Sequence, residues 1–139
     1  MAQTVKIISD STCDLSKELV EKYDITILPL HILLGEDEYR DGVDITPEEI
    51  FRWSDENKNT PKTSAPSLTE AMDVMQPFVE EGRELICFSI SDSMSTSGNV
   101  MRLAAEELEA SDKVTVINSA NLSTGIGLQV IQAAILSAE

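Results

Sequence analysis

Residues 85–98 read LICFSISDSMSTSG, and the architecture expected for the rest of the chain follows from this stretch. The apolar run 85–88 has the length and flanks of a buried strand, while Val100, Ala104 and Leu108 recur on one face of a helix. Between the strand and the helix lies a turn that is rich in hydroxyl side chains. This order predicts an open α/β sheet whose ligands bind beyond the carboxyl ends of its strands.

The hydroxyl-rich turn allows two interpretations. Its side chains and the free amides at the start of the following helix could together bind an oxyanion. Alternatively, Ser95 or Ser97 only caps that helix, which is a role that serine favours. The sequence leaves both interpretations open for any single serine of the turn.

Composition narrows the class of protein. The chain has 139 residues, 42% of them hydrophobic, which suits one domain with a real core. Ten basic against 25 acidic residues give a formal net charge of -15, and the basic residues do not cluster. This balance argues against nucleic acid, anionic membrane surfaces and nucleotides held by basic side chains. Cys13 and Cys87 lack metal-spaced neighbours, so neither a disulfide framework nor a zinc site is expected.

The sequence also lacks a basic segment followed by a long apolar one, and no run reaches the roughly 18 apolar residues that span a bilayer. A cytoplasmic protein is therefore expected.

Alternating strand and helix patterns predict an α/β fold over residues 1–139, a three-layer αβα domain with a mainly parallel sheet. A strand over 5–8 leads through a polar turn into the first helix. The strand over 25–30 is expected to end at Pro29 or to lie at the sheet edge, because proline cannot donate to the ladder. A hairpin is predicted over 31–40 and a last strand over 113–117.

Two capping boxes predict helix starts, one formed by Thr46 and Glu49 and the other by Ser67 and Glu70. Methionines in the second of these helices fall on an amphipathic stripe, which favours core packing. Pro77 is expected to kink that helix, and Gly82 is expected to end it.

The last helical pattern, over 126–136, is apolar except at Gln129 and Gln132. Such a helix needs burial on nearly every side. The sequence stops three residues later, so we expect the cover to come from another domain, another subunit or a continuation of the chain, with self-association otherwise. Gly125 and Gly127 begin a dinucleotide-binding pattern, but a valine stands at the third position, which disfavours that interpretation.

Five motifs occur together in one order. They are Asp10-Ser11-Thr12 with Asp14-Leu15, residues 39–48 (YRDGVDITPE), residues 63–67 (TSAPS), Ser91 to Ser97, and Asn118-Ser119 with Ser123, Gly125 and Gly127. Together they resemble the N-terminal domain of the DegV family of bacterial fatty-acid-binding proteins, from about residue 7 to the C-terminus.

The resemblance implies the N-terminal half of a two-domain architecture, with the family's C-terminal domain absent from these 139 residues. An acyl chain such as palmitate would lie between the two domains. Thr63 and Ser95 would hold its carboxylate from turns just before two helices, and four further serines would surround the site: Ser64, Ser91, Ser97 and Ser119. It further implies a carrier in lipid transport or fatty acid metabolism, without enzymatic activity, cofactor or metal, that presents the acyl group to a fatty acid kinase subunit.

Two positions differ from the family pattern. Residues 95–97 read Ser-Thr-Ser where the family usually has Ser-Gly-Thr, so Thr96 replaces a glycine, and threonine disfavours the positive φ that glycine allows. Ala65 stands where a glutamine is common. The geometry of the turn and one polar contact are therefore expected to differ from the family's.

Two other functions remain as alternatives. A serine-dependent hydrolase or phosphotransferase would use Ser93 or Ser95 as nucleophile, with His31, the only histidine, or an acidic side chain as base. The Gly-x-Ser-x-Gly elbow and the phosphate-binding loop are both missing, which disfavours this alternative. A purely structural module, whose serines only cap helices, is the third possibility.

Overall fold

The computed structural model describes residues 4–139. Within these residues the strands are β1 (Val5–Asp10), β2 (Thr26–Leu28), β3 (His31–Leu34), β4 (Asp37–Arg40), β5 (Lys62–Ser64), β6 (Glu84–Ser89) and β7 (Val114–Asn118). The five α-helices are α1 (Lys17–Lys22), α2 (Pro47–Asn57), α3 (Leu68–Glu80), α4 (Ser97–Glu107) and α5 (Thr124–Ser137), and one 3-10 turn (Ser11–Cys13) follows β1.

The main sheet contains four parallel strands in the order β2-β1-β6-β7. One face packs against α3 and α4 through a cluster that includes Ile8, Met75 and Met101. The other face packs against α5 and the segment around α1 through Ile7, Ile126 and neighbouring side chains. The predicted three-layer αβα arrangement is therefore confirmed, and β2 lies at the sheet edge, ending before the proline.

A second, smaller sheet is antiparallel, in the order β4-β3-β5. The hairpin predicted over 31–40 forms its first two strands, and α2 packs beneath through Ile50 and Trp53. Its third strand, β5, was not predicted. The sequence placed Thr63 in a turn before a helix, but Thr63 is the central residue of β5 and pairs with Ile32. The predicted turn at Thr63 is therefore wrong, because this residue is paired in a strand.

Both predicted capping boxes are present. The Thr46 hydroxyl accepts the Glu49 backbone N–H at 3.3 Å, and Glu49 accepts the Thr46 N–H at 2.8 Å. Ser67 and Glu70 repeat this geometry at the start of α3. The helix α3 continues through Pro77 to Glu80.

The glycine after α3 allows the predicted helix end. Gly82 has a φ of 77°, and its N–H donates to the carbonyl of Val79 at 3.0 Å. The next amide, of Arg83, donates to Phe78 at 3.1 Å, so carbonyls of the last turn gain partners.

The helix α5 buries one side and exposes the other. Ile126 and Val130 are fully buried, whereas Leu128 is 71% exposed and Leu136 is 58% exposed. At Gly127 a Cβ atom would lie 2.8 Å from the Cys13 carbonyl oxygen. The glycine therefore allows the close approach of α5 to the turn after β1. This packing role accounts for Gly127 without a dinucleotide-binding function. None of the helices described between residues 4 and 139 is long and apolar enough to cross a membrane.

Candidate functional site

A cleft of about 670 Å³ opens beyond the carboxyl ends of β1 and β6, where parallel sheets commonly bind ligands. The smaller sheet forms its other wall. Its lining combines apolar side chains (Leu30, Ile32, Ala65, Ile90, Met94 and Leu122) with polar ones (Thr12, Asp41, Thr63, Ser64, Ser95 and Thr96). The hydroxyl-rich turn thus lies opposite the threonine-serine segment of β5.

Asp10, at the end of β1, holds the turn in place. Its carboxylate is fully buried and accepts four hydrogen bonds. One oxygen accepts the Thr12 backbone N–H at 3.1 Å and its hydroxyl at 2.5 Å. The other accepts the Ile90 N–H at 2.8 Å and the Ser97 hydroxyl at 3.1 Å. The buried carboxylate therefore joins the turn after β1 to both ends of the turn between β6 and α4.

Sequence reasoning placed Asp10 only in a polar turn and a family motif, and it assigned no organising role to this residue. Two of its partners, Ile90 and Ser97, lie 80 and 87 positions away along the chain. The one local signal is that Asp10 ends a buried strand, where a carboxylate requires donors from elsewhere in the fold.

The outer part of the turn is anchored to the neighbouring strand and helix. The Asp92 N–H donates to the Asn118 side chain at 3.1 Å, and the Asp92 carboxylate accepts from Arg102 at 3.1 Å. Gly98 permits this arrangement, because a Cβ there would lie 2.6 Å from both the Ser89 hydroxyl and the Asp92 carboxylate. The turn is thus a packed element rather than a loose loop.

Neither serine proposed as a cap is the N-cap of α4. That position is Thr96, and its side chain makes no capping bond. Ser97 begins the helix and donates its hydroxyl to Asp10, whereas the Ser95 hydroxyl accepts the Ser97 N–H at 3.2 Å. Thr96 has a φ of -87°, so the turn does not need the glycine of the family pattern.

The six residues predicted at the site occupy different places. Thr63, Ser64 and Ser95 line the cleft, whereas Ser97 is buried behind it against Asp10. The other two lie outside the lining. The Ser91 hydroxyl contacts that of Ser93 at 2.9 Å, and Ser119 is largely buried with its hydroxyl bonded to Asn121.

The charge of the cleft is acidic rather than basic. Asp41 is its one charged lining residue, and no lysine or arginine of the described chain is among the residues that line it. An anion in this cleft would have to be held by hydroxyl and amide donors, against the repulsion of Asp41. Sequence reasoning did not single out Asp41.

His31 lies behind the cleft, on β3, and is held by two carboxylates. Its Nε2 hydrogen bonds to Glu70, 2.7 Å from the nearer oxygen, and its Nδ1 lies 2.6 Å from a Glu38 oxygen. The first bond, together with the two negative charges, raises the pKa of His31 above its usual value of 6.5, although burial opposes the shift. Both ring nitrogens of His31 therefore face carboxylates, which argues against its service as the base for Ser93 or Ser95.

The cysteines offer no alternative nucleophile. Cys13 and Cys87 are both free and buried, on opposite faces of the main sheet. Burial raises the pKa of both thiols, that of Cys87 to about 12. Since the thiolate is the reactive form, both groups are expected to be inert. Within residues 4–139, no group of three or more histidine, cysteine, aspartate or glutamate side chains is arranged to hold a metal ion.

Another cleft, of about 540 Å³, lies near the amino end of the main sheet, between Lys22–Asp24, Arg83 and the end of α5. It lacks the threonine and serine hydroxyls of the first cleft. The cleft beside Ser95 is therefore the candidate binding site.

The fold and this cleft define a parallel α/β domain with a hydroxyl-rich, partly apolar candidate site. The family profile for DegV, described as uncharacterised proteins, matches residues 4–139, so the chain belongs to the DegV family. A DegV domain-containing protein of Clostridium perfringens is 41% identical over 130 residues, which are 94% of this chain and 46% of that protein. The chain thus spans about half the length of the curated relatives that it matches.

Solved structures share the fold. A stearic acid-binding protein from Eubacterium ventriosum has a TM-score of 0.88 at 39% identity, over 95% of this chain and 47% of its own. A DegV family protein from Thermus thermophilus, described by its fatty acid binding, has a TM-score of 0.87 at 32% identity, over 96% of this chain and 47% of its own. Both relatives are described as binding fatty acids.

Proposed function

We propose that the chain binds a long-chain fatty acid in the cleft, with the carboxylate held by Thr63 and Ser95. The observation that carries this proposal is the lining, in which hydroxyl groups from two opposite walls accompany apolar side chains without any basic residue. A single carboxylate suits such a site better than a polyphosphate does. The fatty acids bound by the Eubacterium and Thermus relatives support the same ligand class.

The two ends of the ligand would contribute differently to binding. Burial of the tail gains roughly 0.8 kcal/mol per methylene group. Each hydroxyl that donates to the carboxylate adds about 1.5 to 3 kcal/mol, since the acceptor is charged. The tail therefore supplies most of the affinity, and the hydroxyls fix which end of the ligand lies at the strand ends.

The proposed role is that of a non-enzymatic carrier that presents the carboxylate to a fatty acid kinase subunit. The turn that would hold the carboxylate lies at the molecular surface, where Met94 is 59% exposed. A partner could therefore reach the head group without unfolding the domain. The formal charge of -15 favours a partner with a basic docking surface, because complementary charge speeds association.

Native mass spectrometry before and after organic extraction tests the proposal. A mass excess that matches a fatty acid, lost on extraction and restored by added palmitate, is expected. No bound lipid and no uptake of palmitate would contradict the proposal. Turnover of an ester or a nucleotide by the chain would instead favour the hydrolase or phosphotransferase alternative.

Ser95→Ala is expected to weaken palmitate binding about tenfold or more, because it removes one hydrogen bond to a charged acceptor. The domain should stay folded. The hydroxyl also accepts the Ser97 N–H, so a loss of about 0.5 to 1 kcal/mol in unfolding free energy should accompany the change. Thermal melts with and without palmitate measure both effects.

The matched control is Ser91→Ala. The Ser91 hydroxyl accepts the N–H of Ser93 at 3.4 Å, two residues ahead, as that of Ser95 does for Ser97, but Ser91 lies outside the cleft lining. Only the Ser95 variant should lose the stabilisation by palmitate. Equal palmitate shifts in both variants would assign Ser95 a structural role alone.

Asp41→Asn is expected to tighten palmitate binding by roughly twofold to tenfold, because the substitution removes a negative charge from the cleft. The gain should shrink as salt is added, since salt screens partly exposed charges. Titration at low and high ionic strength measures it. Unchanged or weaker binding at low salt would place the carboxylate away from Asp41.

A further inference from the structure

His31 contacts both ends of the segment 64–70, which directly follows Thr63. In the smaller sheet its backbone partner on β5 is Ser64, next to Thr63. Its ring reaches across to Glu70, in the first turn of α3, with Nε2 2.9 and 2.7 Å from the two carboxylate oxygens. The stretch from Ser64 to Glu70 is therefore fastened to one residue at its start and at its end.

Glu70 also caps the helix α3, so its contact with His31 is held in a fixed position. One of its oxygens accepts the Ser67 N–H at 2.8 Å and so forms the capping box of α3, while the same oxygen lies 2.7 Å from the His31 ring. The start of α3 and the end of β5 are thus set by one carboxylate. Three residues of the cleft lining, Thr63, Ser64 and Ala65, lie in or immediately after β5 and just before this helix start.

We propose that His31 is the positioning residue of the ligand site, that it aligns Thr63 with the turn that holds Ser95, and that it does so best when its ring is protonated. The inference rests on the proposed function for its ligand, and on the geometry of β3, β5 and α3 for its mechanism. His31 itself does not line the cleft, so it acts through the segment that it holds.

The protonation dependence follows from the two carboxylates. A neutral imidazole has one N–H and one lone pair, so it can donate to only one carboxylate. Nδ1 is buried, and Glu38 lies beside it at 2.6 Å without hydrogen-bond alignment, as an ion pair. A protonated ring donates to Glu70 and places its positive charge beside Glu38, whereas a neutral ring that donates to Glu70 turns a lone pair toward the Glu38 carboxylate.

The other charged groups near the His31 ring either favour its protonated form or are already paired with another residue. Across the hairpin, Arg40 is the register partner of His31, and it donates two hydrogen bonds to Asp44, at 2.9 and 3.0 Å. These bonds hold the pKa of Asp44 at about 2, so this carboxylate adds a further negative charge to the hairpin that carries His31. From α3 the facing charge is that of Glu70. The surroundings of His31 are therefore acidic, and they favour the imidazolium.

The pKa shifts of His31 and Glu70 determine over which pH range their contact stabilises the protein. The pKa of His31 is raised, so its contribution is complete below about 6.5 and is lost as the pH rises through the raised value. Burial opposes the shift at Glu70, but its bonds to Ser67 and His31 lower its pKa, so its contribution is lost only as the pH falls below about 4.5. The contacts of His31 with Ser64 and Glu70, called the His31 clamp below, should therefore be strongest from near pH 5 up to the pKa of His31.

Three variants test the inference. His31→Gln removes the titrating ring, and Glu70→Gln removes the charge that faces it while glutamine preserves the capping box. Glu49→Gln is the matched control, because Glu49 makes the same capping box at the start of α2 without a histidine. Palmitate affinity is measured for each chain at pH 6.0 and pH 8.5.

In the wild type and in Glu49→Gln, the affinity should fall by at least about threefold between these pH values, beyond the change seen in the other two variants. His31→Gln and Glu70→Gln should start weaker at pH 6.0 and show a flatter profile. The same ratio of affinities in all four proteins would overturn the inference, even if the variants bind more weakly overall.

Hydrogen exchange without ligand separates this inference from the proposed function. Protection factors of the amides in β5 and in the first turn of α3 should decrease with pH in the wild type and in Glu49→Gln only. If none of the four proteins binds palmitate, the proposed function fails. The pH dependence of amide protection then tests the His31 clamp by itself. An exchange profile that is identical in His31→Gln and the wild type would refute it.

Discussion

Asp10→Asn is expected to lower the free energy of unfolding by about 2 to 4 kcal/mol and to abolish palmitate binding. Each oxygen of Asp10 accepts one backbone N–H, from Thr12 or from Ile90. Hydroxyl groups can rotate away from a new donor, but backbone amides cannot. Whichever way the asparagine amide is turned, its NH₂ group faces one of these two amides, and a buried donor loses its acceptor.

The loss corresponds to a decrease in Tm of roughly 10 °C for a domain of this size. Asp14→Asn is the matched control, because Asp14 is exposed and accepts a hydrogen bond from Ser123 at 2.6 Å. Its φ of 50° is one that asparagine tolerates. The control should change Tm by no more than a few degrees. Calorimetry of both variants tests the expectation, and equal effects would show that the buried network does not carry the stability assigned to it.

Addition of a second domain is expected to tighten palmitate binding by several orders of magnitude. Met94 and Leu122 line the cleft but are 59% and 49% exposed, so a tail lying against them remains partly in water. A fully enclosed sixteen-carbon tail could gain on the order of 10 kcal/mol before ordering costs. If half of this gain is lost on an open face, affinity falls by about three to four orders of magnitude.

A longer relative can supply the second domain for this experiment. The 139-residue chain is titrated with palmitate alone and as a fusion to the remaining half of the Clostridium perfringens protein, of which the present chain matches 46%. The same fusion carrying Thr63→Ala controls for palmitate bound elsewhere, and sedimentation reports whether the exposed side of α5 drives self-association. Equal affinity of the chain and the fusion, with a monomeric chain, would contradict the expectation.

Local features of the fold were predictable from the sequence because their causes are local. The capping boxes of α2 and α3, the helix end at Gly82 and the hairpin over 31–40 each depend on residues a few positions apart. The order of strands and helices followed from apolar periodicity. Together with the family motifs, this was sufficient for the three-layer architecture and for the location of the turn around Ser95.

The parts that were missed depend on contacts between distant residues. Thr63 was assigned to a turn because β5 has only three residues and is stabilised by a strand about thirty positions earlier. The bonds of Asp10 to Ile90 and Ser97, and the bond between His31 and Glu70, 39 positions apart, have no local signature. A carboxylate in a polar motif and a histidine in an apolar run show their roles only once the sheets are assembled.

The topology of the main sheet also sets an order of events during synthesis of the chain. Its central pair joins residues 5–9 of β1 to residues 84–88 of β6, so the sheet cannot close until most of the chain has left the ribosome. The smaller sheet pairs residues much nearer in sequence, and shorter loops close at lower entropic cost. The wall that carries Thr63 can therefore form first, and the turn that carries Ser95 docks against it late. During this interval the edge of β1 that later pairs with β6 has no strand partner, so aggregation during synthesis would start most readily at this edge.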